Sequence, residues 1–165
     1  GYYFQTLDDT VKIVGTGRLG VLAAQLSAPG SVLNVALSQE FAVAGGTFPG
    51  ALVFDPRRPE TTGRLLEGKA FVTAAWVEAS QGWLALSNGE LQLVDLATGA
   101  ELDRVPLPGT IHDFAAEGGV IVAVTAHELL TFRQEAGRIL PLGRVPLALD
   151  VANRITGRRR LAVGD

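Results

Sequence analysis

Gly82-Trp83-Leu84-Ala85-Leu86-Ser87-Asn88-Gly89-Glu90-Leu91-Gln92-Leu93-Val94-Asp95-Leu96-Ala97-Thr98-Gly99 is the most regular stretch of the sequence. Its first six residues form a short apolar run. Asn88-Gly89 follows, a hairpin signal in which both central positions are expected at positive φ. Glu90 to Asp95 alternates polar and apolar residues, the period of a half-buried strand. Ala97-Thr98-Gly99 reads as a second turn. Glu101 to Val105 is another strand, closed by Pro106, Pro108 and Gly109. Upstream, Val72 to Val77 supplies a fourth. Residues 72–111 therefore read as four strands joined by tight turns.

The same phrase recurs on both sides. Residues 32–71 give Val32 to Leu37, Glu40 to Ala44 ending in Gly45-Gly46, Ala51 to Asp55, the turn Pro56-Arg57-Arg58-Pro59, and Gly63 to Leu66. Residues 112–150 give Asp113 to Ala116, Val120 to Val124, Glu128 to Phe132, the turn Glu135-Ala136-Gly137, and Arg138 to Leu142. Phe54, Val94 and Phe132 are then equivalent. Residues 1–31 enter the phrase partway: Gly1 to Thr6 matches the run from Gly82, and Asp8 to Val14 matches the hairpin and strand after it. Residues 151–165 leave it partway, with Asp150-Val151-Ala152 opening a new unit and Arg159 to Val163 as its second strand.

No window carries sustained helical spacing of apolar residues with a cap. A four-strand repeat of about forty residues predicts an all-β fold, a β-propeller of about four blades of four antiparallel strands. A β-sandwich is the competing architecture, and the period favours the propeller. The blades are 32–71, 72–111 and 112–150, with partial blades at 1–31 and 151–165. Residues 157–165 would duplicate the second strand that Gly1 to Thr6 already supplies, so the chain is read as a segment of a ring with more blades. A closed four-bladed ring is the alternative.

The totals agree with a packed domain: 47% of residues are hydrophobic and 19% charged, enough apolar surface for a core. No apolar run approaches the roughly 18 residues of a membrane-spanning helix. A net charge of −3 argues against nucleic acid as the partner. With no cysteine there is no disulfide, thiolate zinc site or cysteine nucleophile. Arginine outnumbers lysine 12 to 2, and methionine is absent. Together with the Ala, Gly, Leu and Val load, this points to a GC-rich bacterial source.

The phrase Leu91-Gln92-Leu93-Val94-Asp95-Leu96-Ala97-Thr98-Gly99 resembles the third strand and turn of bacterial quinoprotein-like, YVTN-type and WD-repeat-like propeller blades. In that pattern Asp95, and Asp55 at the equivalent place, accept backbone N–H bonds, and Gly99 takes the left-handed conformation. Phe132-Arg133-Gln134 departs from it. Quinone-dependent members of this architecture use a calcium site, docking tryptophans and often vicinal cysteines. This chain has two tryptophans and no cysteine. The resemblance therefore implies a fold and no activity.

Candidate sites follow from the expected inner strands. Asn34, Ala75, Asp113 and Asp150 precede the first large apolar residue of each. Asn34, Asp113 and Asp150 are thus candidate metal ligands, since calcium prefers amide and carboxylate oxygens. A water-lined channel is the preferred reading of the same residues, and no other cofactor is expected. His112 adjoins Asp113, but neighbouring strand residues point to opposite faces and do not make a catalytic pair. His127 reads as a surface turn residue. Arg158, Arg159 and Arg160 form the densest basic cluster and Arg57-Arg58 a second, either contacts for an acidic group or a solvated edge. Gly15 to Gly20 has the look of a phosphate loop without the helix that would make it one. Phe48, in the long loop Gly45 to Gly50, is expected at an exposed tip and so a contact candidate. The function expected is a non-enzymatic scaffold presenting loops to a protein partner or to the remainder of a larger chain. The alternative is a lactonase-like, metal-dependent hydrolase or lyase using the channel oxygens.

Overall fold

The computed structural model describes residues 2–15, 22–58, 63–117 and 119–147, and every regular element among them is a β-strand. Strands β1 (Tyr2–Leu7), β2 (Thr10–Gly15) and β3 (Leu22–Ser27) form an antiparallel sheet in that order. Strands β4 (Val32–Leu37), β5 (Ala42–Gly46), β6 (Pro49–Phe54), β7 (Arg64–Glu78), β8 (Gln81–Leu86), β9 (Glu90–Asp95) and β10 (Glu101–Pro106) form a second, again in sequential order. The third contains β11 (Asp113–Glu117), β12 (Val120–Val124), β13 (Glu128–Glu135) and β14 (Arg138–Pro146). Arg158, Arg159, Arg160 and Asp150 lie outside the described residues, as do residues 16–20 of the glycine-rich stretch.

The seven-stranded sheet is two four-stranded units sharing one strand. The sequence separates Gly63 to Leu66 from Val72 to Val77, whereas the structure runs both into β7. Its first part pairs with β6 (Leu66 opposite Ala51, Arg64 opposite Val53) and its second with β8 (Val72 opposite Leu86, Glu78 opposite Gln81). Between them residues 67–71 stay extended while the register breaks at Pro49/Gly50 and Gly50/Ala51. Gly50 permits this crossing. Its φ is +84°, and a Cβ there would lie 2.0 Å from the Leu66 carbonyl oxygen.

The turns show which local signals are decisive. Asp95 Oδ1 accepts the N–H groups of Ala97 (2.8 Å) and Thr98 (3.0 Å), and Gly99 has φ +82°. Asp55 Oδ1 likewise accepts the N–H of Arg57 at 2.9 Å. Asn88-Gly89 departs from expectation: only Gly89 is at positive φ. Leu86 pairs with Glu90, so the loop holds three residues, Ser87 to Gly89, closed by Gly89 N–H to the Leu86 carbonyl at 3.1 Å. This is the three-residue hairpin with glycine at its left-handed position. The reason lies in β7: the Ser87 N–H bonds the Phe71 carbonyl (2.8 Å) and Ser87 Oγ accepts the Phe71 N–H (3.1 Å), which removes Ser87 from the β9 ladder. The two-residue turn with both φ positive stands instead at Ala136-Gly137.

The core is divided among three joints between successive units. Val11, Leu26, Val32, Ala42, Ala44, Phe48, Leu52 and Phe54 pack together at the first. Val43, Val53, Val72, Leu84, Leu86 and Leu96 do so at the second. Trp83, Leu91, Leu93, Phe114, Ile121, Leu130 and Phe132 fill the third. Several strands serve two joints; in β8, Trp83 and Ala85 face the third while Leu84 and Leu86 face the second. That is why Trp83 to Leu86 is apolar without interruption, as strands buried on both faces are. Polar ties cross the joints. Asn34 Nδ2 donates to the Val72 carbonyl (3.0 Å), Thr73 Oγ1 to the Ile111 carbonyl (3.2 Å) and Arg64 Nη2 to the Leu96 carbonyl (2.7 Å). The Ile139 N–H donates to Asp103 Oδ2 at 2.7 Å.

Several of these contacts are coupled to pH. The hydrogen bond from Ile139 N–H holds the Asp103 carboxyl below the usual carboxylate range, and Arg104 does the same for Glu101. Glu90 is lowered by Asn88 first and by Arg104 second. A carboxyl whose pKa falls on folding stabilises the fold above its unfolded value, about 4, and loses that contribution as pH falls through the folded value. The melting temperature should therefore hold from neutral pH to about pH 5 and fall below it. Arg104→Gln should make that fall shallower, because Glu90 and Glu101 lose their shared guanidinium. Thermal melts across the acid range check this, and an unchanged slope in the variant would count against it.

Candidate functional site

The inner strands β4, β11 and the second part of β7 bring their first residues to one end of the molecule. There they wall an open cavity of about 650 Å³, lined among others by Leu33, Asn34, Phe71, Thr73, His112 and Asp113. Leu33 is 46% and Phe71 45% exposed, large apolar side chains facing solvent at its wall. The structure thus brings Asn34, His112 and Asp113 to one cavity, while the third expected ligand, Asp150, lies outside the described residues.

The sequence alignment of the inner strands needs one correction. Pairing is irregular between Val32 and Asn34 and again between Val72 and Ala74, so Ala74, not Ala75, corresponds to Asn34. The irregularity is the same in both strands, so the forty-residue offset itself gives Ala74; aligning on the first large apolar residue, Trp76, shifts the match by one. Asn34 uses its amide nitrogen to hold Val72 in the next unit, and its buried Oδ1 has no protein partner. Asp113 Oδ1 accepts the N–H of Phe114 at 3.0 Å. Among the described residues, no group of three or more His, Cys, Asp or Glu side chains is placed to hold a metal ion.

Phe48 is a second correction. Expected at an exposed loop tip, it is 1% exposed and sits in the first joint with Val11, Val32, Ala44 and Leu52. The loop folds inward because Thr47 is taken by Ser31: the Thr47 N–H bonds the Ser31 carbonyl (2.9 Å), and Thr47 Oγ1 accepts the Ser31 N–H (3.0 Å). Gly46 makes the approach possible, since a Cβ there would lie 1.8 Å from the Ser31 carbonyl oxygen. Phe48 is therefore core and offers no contact surface. Arg57 and Arg58 sit on the exterior and pair with Asp55 at 3.1 and 3.6 Å.

Sequence reasoning missed Leu33 and Phe71, since an apolar residue within or next to an expected strand looks like core. It also missed that His112 and His127 share a second cavity of about 520 Å³ with Glu128 and Arg144. They are 15 residues apart in the sequence, and the β11–β12 pairing brings them together by setting His112 beside the end of β12, just ahead of the turn that carries His127.

No family model matches the sequence, and no curated protein matches it. Solved structures do match. The chain superposes on a chain of the mitotic checkpoint complex with a TM-score of 0.72 at 11% identity, over 90% of this chain and 52% of that one. It superposes on the Cps50 (Swd1) beta-propeller domain of Myceliophteria thermophila with a TM-score of 0.72 at 13% identity, over 87% and 54% respectively. The fold is that of a β-propeller. U3-55K gives a TM-score of 0.71 at 9% identity over 85% of this chain and 47% of that one. The chain spans about half the length of the solved structures it matches. In propeller terms, β4 to the first part of β7 is one blade. The second part of β7 to β10 is the next, and β11 to β14 is a third. The cavity walled by Leu33, Phe71 and His112 lies where the inner strands of these three blades begin.

Proposed function

We propose that this propeller is a non-enzymatic scaffold that binds a protein partner at the inner-strand end of its blades. The exposed pair Leu33 and Phe71 carries this reading. Leu33 lies on β4 and Phe71 on β7, just ahead of its second part, and both stand at the wall of one cavity, the arrangement of apolar anchors set among polar neighbours that protein interfaces use. Thr47, Ser87, Thr110 and His112 supply the polar surround. The net charge of −3 suits a protein partner better than nucleic acid. A superposed chain belongs to a crystal structure of a protein complex, which agrees with the same reading. No helix among the described residues is long and apolar enough to cross a membrane.

The test is site-specific photocrosslinking. A photoreactive phenylalanine analogue at position 71 should crosslink to a discrete protein in lysate of the source organism. Leu33→Asp should reduce that crosslink by about tenfold, the loss of one interface anchor, without lowering the melting temperature, because Leu33 is exposed. A crosslink that ignores Leu33→Asp, or none at all, would overturn the assignment of this face.

A further inference from the structure

We propose that His112, His127 and Arg144 form a pocket for a carboxylate side chain of the protein partner, and that acidification strengthens its grip. The inference rests on the scaffold reading and adds the partner's chemistry and a means of regulation. Three segments build the pocket: residues 108–112 ahead of β11, the turn between β12 and β13, and Arg144 on β14.

The backbone under both imidazoles is fixed. His112 N–H bonds the Val124 carbonyl at 2.8 Å, and the Leu147 N–H bonds the His127 carbonyl at 2.6 Å. Thr125, 4% exposed, locks the turn. Its Oγ1 accepts the N–H groups of His127 (3.2 Å) and Glu128 (2.9 Å) and donates to the Glu128 carbonyl (3.1 Å). The two side chains are exposed on this rigid support, as a binding group should be. They are also the only histidines in the sequence.

The charges decide the ligand. Arg144 and Glu128 are the other ionisable groups of the lining, and they face each other at 3.8 Å. Asp113, next to His112, lines the neighbouring cavity and has Oδ1 on the Phe114 N–H. With neutral imidazoles, the guanidinium and the Glu128 carboxylate cancel. With protonated imidazoles the pocket is cationic and offers two ring N–H donors beside a guanidinium, a set that suits a carboxylate. A metal ion is the weaker candidate, since no adequate ligand group is present among the described residues. His112 lines both cavities, so an acidic residue here would lie beside a side chain anchored at Leu33 and Phe71.

The experiment uses the full chain and a fluorescein-labelled hexaglutamate peptide, with hexaglutamine as the uncharged control. Anisotropy is read at about pH 5.5 and about pH 7.5, either side of the range in which imidazole ordinarily changes charge. Hexaglutamate should bind about tenfold more tightly at the lower pH, the scale of added charge-assisted hydrogen bonds. His112→Gln with His127→Gln should abolish the difference. Glu128→Gln should raise affinity at the higher pH, because Arg144 loses its counter-ion while the Thr125 turn, held through backbone groups, is retained. No peptide binding at either pH, or a pH effect that survives the double histidine variant, overturns the pocket. Failure here with the position-71 crosslink intact removes the pocket alone. A lost crosslink with pH-dependent peptide binding removes the face assigned to the partner.

Discussion

Phe48→Ala is expected to lower stability by about 3–5 kcal/mol while leaving every contact of the exposed surface in place. The aromatic ring is 1% exposed among Val11, Leu26, Val32, Ala42, Ala44 and Leu52. Truncation removes its apolar surface and leaves a cavity at the joint between the first sheet and the β4–β6 sheet. Those walls cannot collapse freely, because the Thr47–Ser31 hydrogen bonds and the close approach at Gly46 fix the spacing. Urea unfolding of the variant measures the effect. The same substitution at an exposed loop tip would cost a few tenths of a kcal/mol, about the scale of ordinary surface changes. A midpoint within that smaller range would therefore place Phe48 outside the core.

Gly50→Ala is the second large effect, expected to exceed about 3 kcal/mol and to prevent folding if it reaches the whole stability of the domain. Two penalties coincide. An L-residue at φ +84° adopts the left-handed conformation, itself a cost of about 1–2 kcal/mol. The new Cβ would also lie 2.0 Å from the Leu66 carbonyl oxygen and 3.0 Å from the Gly68 amide nitrogen, both backbone atoms. The strand would have to move apart where β7 passes from one blade to the next. Gly89→Ala is the internal control. Its φ is nearly the same, +81°, with nothing within 4 Å of the added Cβ, so only the conformational cost of about 1–2 kcal/mol applies. Equal losses in the two variants would show that the β6–β7 crossing is not tight.

The strands were legible because their signals are local. Val32–Leu37, Glu90–Asp95 and Val120–Val124 are each bounded in the structure as their apolar or alternating pattern indicates. The Asp95 turn was legible for the same reason, since an Asp side chain bonds backbone two and three residues on. The Asn88-Gly89 turn was only half legible. Ser87 is claimed by Phe71, sixteen residues back in the sequence, and that claim lengthens the loop. Of the candidate site, Asn34, His112 and Asp113 were found, since each occupies the start of an expected inner strand. Leu33 and Phe71 were not, because exposure belongs to the packed molecule.

Period, turn residues and the forty-residue recurrence are properties of the chain itself, and by themselves they determine four-stranded β units in succession. Everything that depends on one unit meeting another was decided by the tertiary structure. The fusion of two strands into β7 required the bare backbone of Gly50 against Leu66. The burial of Phe48 required Ser31 to hold Thr47. The gathering of His112, His127 and Arg144 required a hairpin and an outer strand to return to the same end. The physical reason is range. A turn or a strand is chosen by neighbours a few residues away, whereas burial and charge are set by whatever the closed joint places opposite.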